Sequence, residues 1–145
     1  SPDGIKTLFE HRFNPIGTIF YNIKTDNLSD LKHLKSIKSL PSVSSAPRSY
    51  FYNTKRIDIP ENVTSLGRYV LGFNLATVVV FHGNTPPSHD WTFSNTTGTY
   101  DTCTPNGCKF YVPDESLEAY KKAFTSQPAP LRDTSIIRPL SEYHE

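Results

Sequence analysis

Ile57-Asp58-Ile59-Pro60-Glu61-Asn62-Val63-Thr64-Ser65-Leu66-Gly67-Arg68-Tyr69-Val70-Leu71 is the stretch on which the reading of this 145-residue chain turns. Ile57 and Ile59 fall in a candidate strand, Arg56–Ile59. Pro60 then sets a turn, and Gly67 supplies a backbone angle or close approach that a side chain forbids. Ile57, Ile59, Val63, Leu66, Val70 and Leu71 are expected to point inward, in a structural role.

Upstream, Leu40-Pro41 opens a segment like the one opened by Ile59-Pro60, and each carries an aromatic nine residues after its proline, at Tyr50 and Tyr69. The implied offset is 19 residues, which sets Phe51 against Val70 and Ile59 against Val78. Each unit reads as strand, proline turn, short buried stretch and next strand. Such a unit buries its apolar side only by stacking on a neighbour. Chance similarity among strands punctuated by proline is the alternative.

Twelve Pro and seven Gly divide the rest of the chain into short pieces rich in Ile, Val, Tyr, Phe and Thr. These are residues that fit a pleated surface. Strands are expected at Gly17–Ile23, Ser49–Tyr52, Arg56–Ile59, Thr77–Phe81 and Lys109–Val112. Leu28, Leu31, Leu34 and Ile37 suggest a helix over Asn27–Lys38, capped by Asn27 or Ser29. Leu117, Tyr120 and Phe124 predict a second helix over Asp114–Phe124, with Asp114 as N-cap and Glu115 near the positive end of its dipole. It should stop before Pro128, leaving an extended link to a last strand at Ile136–Ile137.

The Ile57–Leu71 stretch resembles the repeat of the BspA-like leucine-rich repeat family, whose units read like I-x-I-P-x-x-V-T-x-I-G-x-x-A-F. The chain after it is similar to that family's ending: a strand running into Thr85-Pro86-Pro87, a loop, Cys108-Lys109-Phe110-Tyr111-Val112-Pro113, a helix, and Ile137-Arg138-Pro139-Leu140-Ser141-Glu142-Tyr143. The resemblance covers residues 37–143, most closely from 56 onward. It implies a mainly β (α+β) chain with short helices: a short leucine-rich-repeat-like solenoid with a helical C-terminal cap. Three parts are expected: residues 1–36 as an N-terminal cap or platform of unknown type, 37–82 as repeat rungs, and 83–145 as loop, hairpin and cap. The family's units are usually longer than those seen here, and its arrays have more rungs.

Composition narrows the function. Fifteen Lys and Arg against fourteen Asp and Glu leave a formal charge of +1, without the positive excess used for phosphate binding, so nucleic acid is not an expected partner. Residues 1–60 hold nine basic and five acidic residues and the remainder six and nine, a mild dipole. The run Lys32, His33, Lys35, Lys38 reads as a solvated helix face. No apolar run approaches the roughly 20 residues of a membrane helix; the longest, Leu75 to Phe81, reads as a buried strand. The start, Ser1-Pro2-Asp3-Gly4, has no initiator Met, basic n-region or apolar h-region, so a targeting signal is expected to be absent or already removed. G-x-S-x-G, H-E-x-x-H, Walker and dinucleotide glycine patterns are all missing, so no enzyme is expected. His82 and His89, with Asp90, lie close in sequence but lack the further ligand a metal site needs. No metal and no cofactor are expected.

Cys103 and Cys108 flank Pro105-Asn106-Gly107, strong turn chemistry that would bring them opposite one another in a hairpin. A disulfide fits, two reduced thiols being the alternative. A disulfide would imply an oxidising compartment or an extracellular particle. The Asn-x-Ser/Thr matches at Asn27, Asn62 and Asn95 carry little weight.

The polar segment Gly83–Gly107 is the candidate binding region, with Trp91, Phe93 and Tyr100 set among Ser, Thr, Asn and Asp. Long ordered loops are often functional, and aromatics in polar company suit protein or sugar contacts. The same aromatics would otherwise form the loop's own small core. The resemblance implies a non-enzymatic protein-interaction or adhesion module on a bacterial surface, taking a protein or glycan partner. The alternative is an accessory virion protein, decorating the capsid or tail of a phage of gut bacteria.

Overall fold

Parallel neighbours in a sheet need a long crossover connection, whereas antiparallel neighbours can be joined by a tight turn. The computed structural model describes residues 38–40, 42, 56–72, 77–93, 108–128, 130, 131 and 133–144. Among these, the elements in chain order are β1 (Ser39–Leu40), β2 (Arg56–Ile59), β3 (Ser65–Leu66), β4 (Val78–Phe81), β5 (Ser88–His89), β6 (Lys109–Val112), α1 (Leu117–Phe124) and β7 (Ile137–Pro139). They form a three-stranded sheet ordered β1-β3-β5 and a four-stranded sheet ordered β2-β4-β6-β7. Every pairing is parallel.

This corrects the expected fold class. The mainly β, leucine-rich-repeat-like solenoid with a helical cap gives way to an α/β-like arrangement of two small parallel sheets and one short α-helix. α1 is not a lid on an open end. It lies in the crossover between β6 and β7, which pair in parallel, so strand, helix and strand form one β-α-β unit. The 19-residue offset is corrected as well. Ile59 lies beside Phe81 and not beside Val78, which pairs with Arg56. Unequal connections set the register, and the proline spacing that suggested the offset does not enter the ladder.

Alternation along the strands decides the two faces. Ile57 and Ile59, Val79 and Phe81, and Phe110 and Val112 enter one core with Leu40 and Leu66 of the other sheet, joined by Val63, Val70 and Leu71. Pro60 opens the expected turn, its carbonyl accepting from the Val63 amide at 3.1 Å. The Gly67 amide donates to the Leu40 carbonyl at 2.7 Å, tying the three-stranded sheet beyond β3.

The helix begins differently from the expectation. Asp114–Ser116 is a 3-10 turn leading into α1, and no side chain caps it. The Asp114 carboxylate instead accepts the Ser141 amide at 3.0 Å, because the C-terminal segment lies within reach of it. Tyr120 and Phe124 are fully buried, with ring centroids 5.3 Å from Phe81 in each case. Ile136 belongs to a 3-10 turn, and the last strand starts one residue later than expected. The strands expected at Gly17–Ile23 and Ser49–Tyr52, the helix over Asn27–Lys38 before its last residue, and the platform over residues 1–36 lie outside the described residues.

Candidate functional site

Within the expected binding region, Gly83–Gly107, the chain leaves β5 and turns at Asp90–Phe93. The turn is built on Thr92, whose hydroxyl is fully buried. Its Oγ1 accepts the Asp90 amide at 3.0 Å and donates its one proton toward the Leu66 and Gly67 carbonyls, at 2.9 and 3.0 Å. This satisfies a polar group that would otherwise be costly to bury. Thr92 thereby anchors the loop to β3, a role the sequence reading did not assign.

Above that anchor, Trp91 holds a left-handed backbone with φ 56°, and Tyr69 does the same with φ 63°. The two segments pair through their backbones. The Tyr69 amide donates to the Trp91 carbonyl and the Leu71 amide to the Thr92 carbonyl, both at 3.1 Å. Side chains other than Asn and Asp seldom occupy this region, and each such residue stores on the order of 1–3 kcal/mol. Both residues are partly exposed, with Tyr69 packed against the edge of the core. Beside them, Arg68 Nε donates to Asp90 Oδ2 at 3.4 Å, with more than half of each side chain in solvent. An ion pair so exposed adds little stability, so its main effect is to present charge of both signs next to the aromatic pair.

Phe93 does not join this surface. It is 1 % exposed, with its ring 4.9 Å from Phe124 and 5.9 Å from Phe110. Of the two readings of the loop aromatics, core packing holds for Phe93, because Thr92 aims its neighbour inward. Tyr100 and Cys103 lie outside the described residues. Cys108 is fully buried, with Sγ 3.9 Å from the Lys109 carbonyl.

The histidines are engaged separately. His89 Nε2 donates to the Ser126 carbonyl at 2.8 Å, while His82 Nε2 donates to Asp58 Oδ1 at 2.8 Å. Among the described residues, no group of three or more His, Cys, Asp or Glu is placed to hold a metal ion.

A second cluster, not anticipated from sequence, occupies the outer face of the four-stranded sheet. Arg56 Nε and Nη2 each donate to the Asp58 carboxylate at 3.1 Å, and the Arg56 guanidinium stands 5.1 Å from the centre of the Tyr143 ring. Burial alone would raise the Asp58 pKa. Hydrogen bonds from His82 and Arg56, with the attraction of their charges, outweigh it and hold the carboxyl below its usual range. The same bond to Asp58 raises the Arg56 pKa. The alternation of Arg56 and Asp58 with Ile57 and Ile59 was the available signal for an outward-facing pair. Nothing local pointed to Tyr143.

No protein-family model, no curated protein and no solved structure matches the chain. Among the described residues, no helix is long and apolar enough to cross a membrane.

Proposed function

We propose that this chain is a non-enzymatic interaction module whose contact with a protein or glycan is centred on Trp91. The observation that carries this reading is the pair of left-handed aromatics, Tyr69 and Trp91, joined backbone to backbone and flanked by an exposed Arg68–Asp90 pair. Strained backbone tends to persist where surrounding structure holds it for use. Aromatic faces with a guanidinium and a carboxylate beside them suit both protein hot spots and the hydroxyl-bearing faces of sugars. Display on a bacterial surface belongs to the same proposal and rests on the resemblance of Ile57–Leu71.

The test is binding of the labelled chain to a panel of immobilised glycans and extracellular-matrix proteins. On this reading at least one member binds. Trp91→Ala then weakens that binding roughly thirtyfold or more, the equivalent of a hot spot of about 2 kcal/mol, with circular dichroism unchanged. Undiminished binding by a folded variant would remove Trp91 from the contact. Protease sensitivity of the chain on intact cells checks the surface setting, and recovery with purified phage particles would assign it to a virion instead.

A further inference from the structure

The outer face of the four-stranded sheet carries the row Asp58, Val80, Tyr111 and Arg138, set side by side by the register of β2, β4, β6 and β7. Val80 is 0 % exposed, yet it stands apart from the core cluster that takes its neighbours Val79 and Phe81. Its cover therefore lies on the outer side. The C-terminal segment passes there: the Tyr143 ring is 4.9 Å from Tyr111, and its phenol oxygen accepts from Arg56 Nη1 at 3.4 Å. Val80 sits in the row between Asp58 and Tyr111, beneath this bridge.

We infer that residues Leu140–Tyr143 form a releasable strap that closes the outer face of the sheet, latched by Arg56 at one end and Asp114 at the other. Two features make the strap separable from the fold. Leu140–Glu142 is a single 3-10 turn with no buried residue, so its opening exposes little apolar surface of its own. Two of its ties are polar and come from outside β7: Arg56, oriented by the two-point bond to Asp58, and the Asp114 carboxylate accepting the Ser141 amide. The Arg138–Glu142 ion pair is a third tie, from β7 to the strap, but a pair so exposed adds little stability.

Both latches depend on an ionised carboxylate. Asp58 faces Arg56 and His82, while Asp114 faces the Ser141 hydroxyl and the amides of Ser141 and Leu140. Each is held below its usual pKa, so closure is fully supported above about pH 4 and is lost as pH falls through the lowered values.

Hydrogen exchange by mass spectrometry and nitration of Tyr111 by tetranitromethane test the latch in the full chain. In an Arg56→Gln/Asp114→Asn variant at neutral pH, exchange over residues 140–143 and nitration of Tyr111 should each rise tenfold or more. Exchange in β4 should rise far less, although the melting temperature should fall somewhat because Asp58 loses a partner. Acidifying the wild type stepwise below the ordinary aspartate pKa of about 3.9 should, after correction for intrinsic rates, release the strap before β4. Unchanged exchange and nitration would overturn the inference. So would a rise shared equally by β4, which would make the segment part of the cooperative fold.

Discussion

Tyr69 and Trp91 meet through their backbones, the Tyr69 amide donating to the Trp91 carbonyl at 3.1 Å while both residues hold positive φ. The bond joins the turn after β3 to the turn after β5, so strain at one position is supported by the other. A backbone held this way is already ordered, so a partner that contacts Trp91 meets less entropy cost.

That backbone makes an unusual stability order testable. Glycine is ordinarily less stable than alanine in a folded chain, but at φ 56° only glycine is free of the steric cost of a Cβ, about 1–2 kcal/mol. Trp91→Gly should therefore be more stable than Trp91→Ala by roughly 1 kcal/mol in urea unfolding. The reverse order would show that Trp91 is not held in the left-handed region.

The aromatic core predicts a severe effect at Phe124. Its ring is fully buried, with centroids 4.9 to 6.2 Å from those of Phe93, Phe81, Tyr120 and Phe110. Phe124→Ala should destabilise the chain by about 3–5 kcal/mol, lowering the melting temperature by roughly 10 °C or more. A loss of only a degree or two would mean that α1 does not pack as described.

Tyr120 predicts a stability loss in alkali. Its hydroxyl donates to the Gly83 carbonyl at 2.7 Å, and burial pushes its phenol pKa up. The phenol stays neutral in the fold while the unfolded chain ionises near pH 10. Its contribution is complete below that pH and declines as pH rises above it. Chemical denaturation between pH 8 and about 11 should show this slope in the wild type, reduced in Tyr120→Phe. Tyr120→Phe should also cost about 1–2 kcal/mol at neutral pH, because the Gly83 carbonyl loses its donor. An unchanged alkaline slope would place the titrating group elsewhere.

The cysteines yield a covalent prediction. Cys103 and Cys108 are expected to be joined across Pro105-Asn106-Gly107, so the purified chain should gain about two hydrogens in intact mass on reduction. Complete alkylation of both thiols without reductant would show them reduced.

Ile57 and Ile59, two residues apart in one candidate strand, were enough to mark an inward-facing pair. The i, i+3, i+7 spacing of Leu117, Tyr120 and Phe124 was enough to mark a helix and its buried side. Pro60 marked a turn. These features follow from sterics and side-chain period within a few residues, which the order of amino acids determines by itself. Which strands became neighbours did not follow. A strand's ladder is made of backbone groups common to all residues, so Ile59 could be set against Val78 on spacing, whereas closure of the connections brought it to Phe81. The same limit explains the site. Phe93 and Trp91 looked alike as loop aromatics, but the buried Thr92 hydroxyl between them, bonded across to Leu66 and Gly67, left one partly exposed and sent the other into the core. Asp114 looked like a helix cap until Ser141 reached its carboxylate, and Arg56 found Tyr143 from 87 residues away. Partners so distant in the chain are decided only when packing brings their surfaces together, because no local preference records which remote group will arrive.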